Sequence, residues 1–291
     1  SMLATKKANL ARVALGRLPD PPARTTWFTY VRCHDDIGWA IDDRDAAAVG
    51  LTGFGHREFL ASFFRGDFWG SFSRGTPFGV NPETNDERTS GMASTLAGVA
   101  AAIESGDAAD LDAGIERMLM LYSIAFGYGG IPIIYMGDEL CMLDDQTYLD
   151  DPLRQADSRW CHRPVFDDAV AARRTIAGSP EQRLWDGIRH LVAARRACLP
   201  LHGATTSRPV DVGHPTVFGW HRQHPRFGEL LGLANVGDEF AAITPPSVLG
   251  TRTVGLVDHL ARGSDRVFEL APRQVRWLGR TATFATVPAT P

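Results

Sequence analysis

The sequence has little of what would place it in several common classes. Its four cysteines, Cys33, Cys141, Cys161 and Cys198, are far apart and never form a Cys-x-x-Cys pair. That argues against a disulfide framework or a thiolate zinc site and predicts reduced, mostly buried thiols. No apolar run reaches the roughly 20 residues of a membrane span, and no signal peptide opens the chain. The cytoplasm is the expected compartment, with no membrane partner. Charge of one sign is also missing. The formal net charge is only −4, and no basic run interleaves with aromatics, so nucleic acid is not an expected partner. His221 and His224 stand close together, but without a third ligand they predict no metal site.

What is present is ordinary globular composition, 44% hydrophobic and 22% charged, over a length of 291 residues that suits one large or two ordinary domains. Residues 4–18 read as a helix, with Leu10, Val13, Ala14 and Leu18 on one face, ended by Pro19, Pro21 and Pro22. Residues 25–31 are rich in β-branched and aromatic side chains and read as a buried strand. Polarity then jumps: His34, Asp35 and Asp36 stand together where the strand ends. An imidazole and two carboxylates at the C-terminal edge of a strand suit an α/β enzyme site. Asp-Asp after a strand also serves as a cap or a solvated turn, and a lone His is often structural. The local residues alone leave both readings open.

A polar, glycine-dotted segment follows, to about Arg88. It holds a short helix near residues 56–64 and the aromatic, Gly-rich run of residues 68–75, which together predict an ordered loop or small subdomain. Helices are expected over residues 90–103 and 110–126, the second stopped by Gly127, Gly129 and Gly130. Residues 131–136 are continuously apolar, as a parallel strand covered on both faces must be, and Gly137-Asp138-Glu139 closes that strand. Strand, helix and strand predict a right-handed parallel βαβ unit. Residues 144–172 read as a charged loop and residues 182–198 as an amphipathic helix. Beyond Pro200, five short runs (216–220, 229–235, 239–244, 251–257 and 274–278) predict a small antiparallel β domain.

Two of these stretches resemble a known family. Val31-Arg32-Cys33-His34-Asp35-Asp36 resembles the fourth conserved region of the α-amylase superfamily, glycoside hydrolase family 13, and the longer run from Tyr30 to Trp39 with Asp42-Asp43-Arg44-Asp45 is similar to amylosucrases. The run from Gly130 to Glu139 resembles that family's eighth-strand signature, G-x-P-x-x-Y-x-G-x-E. The resemblance implies the C-terminal part of a (β/α)8 barrel, units 7 and 8, within residues 1–200, with an insertion over about 37–105 after strand 7 and an all-β domain over 201–291. It implies a retaining glucosyltransferase with sucrose as donor and α-1,4-glucan as acceptor, and no metal or organic cofactor. Asp35 would be the transition-state stabiliser and His34 would contact the same sugar. Asp36, Arg88 and Arg159 match positions near the donor and the adjacent subsite, Arg159 through the segment Asp157-Ser158-Arg159-Trp160. Arg57 matches a position linked to acceptor-chain binding. Cys33 stands where a serine is common, and Gly79 and Glu87 depart from the pattern.

Retaining chemistry needs a nucleophile and a general acid/base as well. The family's motif for the nucleophile, resembling R-x-D-x-x-x-x-H, is absent, as are the later Glu and the first Asn-His region. The chain is therefore expected to be a C-terminal portion that is inactive by itself, prone to self-association or completed by a complementary N-terminal barrel fragment. The rival readings are a sucrose hydrolase, another α-glucosidase, or a non-catalytic sugar-binding fragment.

Overall fold

The computed structural model describes residues 1–22, 24–84, 86–249, 256–260 and 266–280. In chain order its principal elements are α1 (Asn9–Gly16), β1 (Phe28–Tyr30), α2 (Gly53–Arg65), β2 (Thr76–Phe78), β3 (Arg88–Ser90), α3 (Ala108–Tyr128), β4 (Ile131–Ile133) and α4 (Pro180–Ala197). There follow β5 (Thr206–Val210), β6 (Val217–His224), β7 (Gly228–Asn235), β8 (Leu256–Asp258) and β9 (Val275–Arg280).

β1 and β4 pair in parallel, Phe28 opposite Ile131 and Tyr30 opposite Ile133. Parallel neighbours need a crossover connection, and here it contains α2, the β2–β3 hairpin and α3. The Thr29 hydroxyl fastens β1 to the end of α3, lying 3.0 Å from the carbonyls of both Ala125 and Gly129. Both strands are shorter than the sequence predicts, and neither is buried on both faces. Phe28 is 64% exposed and Ile131 48% exposed, with Tyr30 and Ile133 beside them. The reason is that only the Thr29 side meets a helix, so the opposite face presents four large apolar side chains to solvent.

The insertion folds around rings rather than a regular sheet. Leu60, Phe63 and Phe64 of α2 pack with Leu96, Trp39, Phe59 and Phe72, and Trp39 stacks on Phe64 at 5.0 Å. The helix expected over residues 90–103 is broken in two, Ala93–Leu96 and Val99–Ser105, by Gly98 at φ 100. A Cβ at Gly98 would meet Arg117 Nη1 at 2.9 Å, so the close approach requires glycine. The N-terminal helix is likewise split, into a single turn Met2–Thr5 and α1.

α3 starts at the Asp107 cap, whose carboxylate accepts from the backbone N–H of Ala109 and Asp110. It runs through Gly127 to Tyr128 rather than stopping at Gly127. A Cβ on Gly127 would lie 2.4 Å from Trp277 Nε1, so the absent side chain lets the indoles of Trp220 and Trp277 close on the helix. Ile115, Met118, Met120, Tyr122 and Phe126 share one core cluster with Leu184, Ile188 and Leu191 of α4 and with both tryptophans. Those tryptophans belong to an antiparallel sheet in the order β5-β6-β7-β9-β8. Alternation decides its faces: Phe218 and Trp220 join α3, while Val217, Leu231, Leu233 and Leu278 form a second core on the other side. β5 is a strand the sequence did not announce, because Arg208 and Pro209 interrupt its pattern. The expected strand over 239–244 shrinks to Ala241–Ala242, and of the run 251–257 residues 251–255 lie outside the described residues. Among the described residues, no helix is long and apolar enough to cross a membrane, and Cys141, Cys161 and Cys198 are buried free thiols.

Arg222 holds sheet and helix together. Its buried guanidinium donates to the carbonyls of Pro200, Tyr128, His202 and Thr205 and to Ser207 Oγ, all at 2.7–3.0 Å. Arg222→Leu should therefore cost about 3 kcal/mol, since hydrogen bonds to a charged group are lost and buried acceptors are left unpaired. Urea unfolding of the two proteins measures this directly.

Candidate active site

Past Tyr30 the chain turns sharply, and the Asp36 backbone N–H donates to Asp35 Oδ1 at 3.0 Å. The turn is pinned from two sides. Ile37 and Thr89 exchange backbone hydrogen bonds of 2.8 and 3.1 Å, which lays the turn beside β3 and brings Arg88 Nη1 to 3.5 Å from Asp36 Oδ2. Arg163 Nε donates to the His34 carbonyl at 2.8 Å, which ties the turn to the single helical turn Ser158–His162. Asp157 caps that turn by accepting from the Arg159 N–H.

Arg159 links the two segments. It makes a bidentate pair with Asp157, with both contacts at 2.9 Å, and its Nη1 lies 3.3 Å from Asp35 Oδ1. Its guanidinium also lies 4.6 Å from the centre of the Phe78 ring. The Asp35 side chain remains 55% exposed. Hydrogen bonding to Asp36, with Arg159 beside it, holds the Asp35 carboxyl down to about 2, so it is an anion at any ordinary pH. The two carboxylates in turn hold Arg159 above its ordinary value.

His34, Asp35, Asp36, Arg88 and Arg159 are thus gathered, although Arg159 lies 124 positions from Asp35 in sequence. Arg57 is engaged elsewhere, donating to the Ile41 carbonyl and Asp43 at 2.9 and 3.0 Å and lying 3.6 Å from Asp86. His221, considered with His224 for a metal, bonds Glu229 at 2.8 Å, and no group of three potential ligands occurs among the described residues.

The sequence reading missed the layer beneath the turn. Arg32 is 3% exposed, donates from Nε to the Gly91 carbonyl at 2.6 Å and from Nη1 to the Asp35 carbonyl, and has Asp138 and Asp144 nearby. His162 accepts from the Gly91 N–H through Nδ1 at 3.1 Å. Burial and then Arg32 push its imidazole down to about 3, so it is neutral with its proton on Nε2. Asp138 is fully buried and receives the Tyr122 hydroxyl at 2.5 Å, while Asp144 accepts from the Met92 N–H at 2.5 Å. One signal was available: Arg32 is a charge inside an otherwise apolar strand end, and such a charge must find partners.

Compared with protein families, the sequence matches none. Similar solved structures include a maltogenic amylase from S. marinus, at 17% identity over 56% of this chain and 19% of that one, with a TM-score of 0.38. The type III pullulan hydrolase from Thermococcus kodakarensis gives 20% identity over 58% and 24%, with a TM-score of 0.41. The α-amylase from Geobacillus thermoleovorans, complexed with acarbose, gives 17% identity over 58% and 34%, with a TM-score of 0.42. The chain spans between about a fifth and a third of these proteins.

Burial raises the Asp138 carboxyl from 3.8 to about 7. Between those values the folded chain keeps a proton that the unfolded chain has lost, so this group's contribution to stability falls as pH rises. Relative to Asp138→Asn, the unaltered chain should lose stability steadily from pH 4 to pH 7 and level off above. Urea unfolding of both proteins across that range would show the divergence.

Proposed function

We propose that this chain carries the transition-state-stabilising side of a retaining α-glucoside site of amylosucrase type. Sucrose would be the glucosyl donor and an α-1,4-glucan the acceptor. The observation that carries the reading is Asp35: an exposed carboxylate, held ionised at the end of a parallel strand, with His34, Asp36, Arg88 and Arg159 around it. A fixed anion beside a glucosyl ring stabilises the oxocarbenium-like charge that develops as the glycosidic bond breaks. His34 and Asp36 would bind ring hydroxyls. The Arg159 fork, already filled by Asp157 and Asp35, would close the pocket behind a single sugar, and Arg88 would face the adjacent subsite.

Asp35 is not the nucleophile in this scheme. Another carboxylate attacks the anomeric carbon, and a third protonates the departing fructosyl oxygen and then deprotonates the acceptor hydroxyl. We place both on polypeptide outside these 291 residues, as further units of a (β/α)8 barrel whose units 7 and 8 begin with β1 and β4. The open apolar face of Phe28, Tyr30, Ile131 and Ile133 and the edges of the β1–β4 pair, unpaired among the described residues, support this placement. The same surfaces would drive self-association of the isolated chain. A sucrose hydrolase would share this side of the site and differ in using water as acceptor, and another α-glucosidase would differ in donor as well. The open face equally suits a sugar-binding piece without turnover.

The test is fructose release from sucrose, with and without glycogen. The chain alone should release none. Co-expressed with barrel strands bearing the missing carboxylates it should release fructose, and Asp35→Asn should lower that rate about 10²–10³-fold. Glycogen growth marks a transferase and free glucose a hydrolase. Robust turnover by the chain alone would overturn the placement of the nucleophile and acid/base outside these residues.

A further inference from the structure

The strand end contains a charge that the proposed chemistry does not use. Arg32 is buried, yet its guanidinium makes two directed contacts to backbone, and neither is to a carboxylate. We propose that Arg32 is a positioning residue: by donating at once to the carbonyls of Gly91 and Asp35, it fixes the turn that aims the Asp35 carboxylate at Arg159.

The geometry supports this in three ways. First, the contact to Asp35 spans only three positions, so it closes the turn on itself and sets its curvature. Second, the other anchor is itself held in place by hydrogen bonds. The Gly91 peptide is held on both sides, its carbonyl by Arg32 at 2.6 Å and its N–H by the neutral His162 ring at 3.1 Å. The next N–H, of Met92, is held by Asp144 at 2.5 Å. Third, consecutive carbonyls along the turn each accept from a guanidinium, His34 from Arg163 and Asp35 from Arg32, while Arg159 reaches the Asp35 carboxylate itself. The backbone and the functional group of one residue are therefore held by different arginines.

Asp144 and, once it has lost its proton, Asp138 lie close enough to supply counter-charge to the guanidinium. Burial disfavours the Arg32 charge, and both carboxylates favour it. Asp138 is set in turn by the Tyr122 hydroxyl. The arrangement needs a planar fork. A lysine ammonium keeps the charge but cannot span two carbonyls in fixed directions. That difference separates positioning from simple charge balance.

The inference rests on the reading of Asp35 given above only for its functional meaning, and its test does not need turnover. Aspartate labelled at the side-chain carboxyl carbon reports each carboxyl titration by NMR, with the Asp35 signal identified by its absence in Asp35→Asn. In the unaltered chain Asp35 should titrate at about 2. In Arg32→Lys with its fold retained by circular dichroism, the released turn should move that titration up by on the order of one pH unit, tenfold in proton affinity. An unchanged titration in a folded Arg32→Lys chain would overturn the proposal. Should that variant not fold, the unaltered chain decides. A solvent-protected Arg32 Nε–H resonance with a nuclear Overhauser contact to Gly91 supports the proposal, and its absence overturns it. A chain that fails the sucrose experiment but passes this one loses the sugar chemistry and keeps the role of Arg32.

Discussion

A guanidinium buried under a strand end is costly unless its charge and its N–H groups find partners, and the Asp35 turn is arranged around that demand, with Nε and Nη1 of Arg32 bonded and Nη2 without a partner among the described residues. Arg32 sits where β1 gives way to the acidic turn. The groups that answer it come from four places: the Gly91 peptide after β3, the Asp35 carbonyl, and Asp138 and Asp144 beyond β4. Asp35 is three positions from Arg32, and the other segments are far from it in sequence. The insertion, the parallel pair and the long loop after β4 meet at this one charge, and the exposed carboxylate lies directly above it.

The same economy of contacts joins α3 to the antiparallel sheet. The last carbonyls of a helix lack intrahelical partners. Here they are taken by side chains from elsewhere: Phe126 and Gly130 by Arg195, Gly127 by the Trp220 indole at 2.9 Å, and Tyr128 by Arg222. The end of α3 thereby becomes a fixed point from which β4 departs. Because Thr29 bonds the same helix end, β1 is set against the same reference. Strand ends placed in this way can hold a carboxylate to a defined direction.

The polarity jump at His34-Asp35-Asp36 was legible because a strand pattern and a charge cluster are both local signals. The longer helices were legible from apolar spacing, while the caps Asp107 and Ser179 emerged only in the structure. Arg88 and Arg159 meeting those carboxylates was not legible locally, since the contacts span 52 and 124 positions; only the family resemblance suggested them. An apolar run such as Ile131 to Met136 says that a strand is apolar, not that a second layer covers it, so the exposure of β1 and β4 went unforeseen. Gly98 marked a helix break that periodicity alone overrode. The burial of Asp138 and Asp144 was not legible, because burial of a charge depends on partners that composition does not reveal.

The central claim is that the Asp35 turn is built to face a glucose-shaped cation. Its most direct test is a backbone amide NMR titration of the chain with 1-deoxynojirimycin, a glucose-shaped amine. Shifts that concentrate at His34, Asp35, Asp36, Arg88 and Arg159, and vanish in Asp35→Asn, are the predicted result. Shifts that fall elsewhere, or persist unchanged in Asp35→Asn, would contradict it.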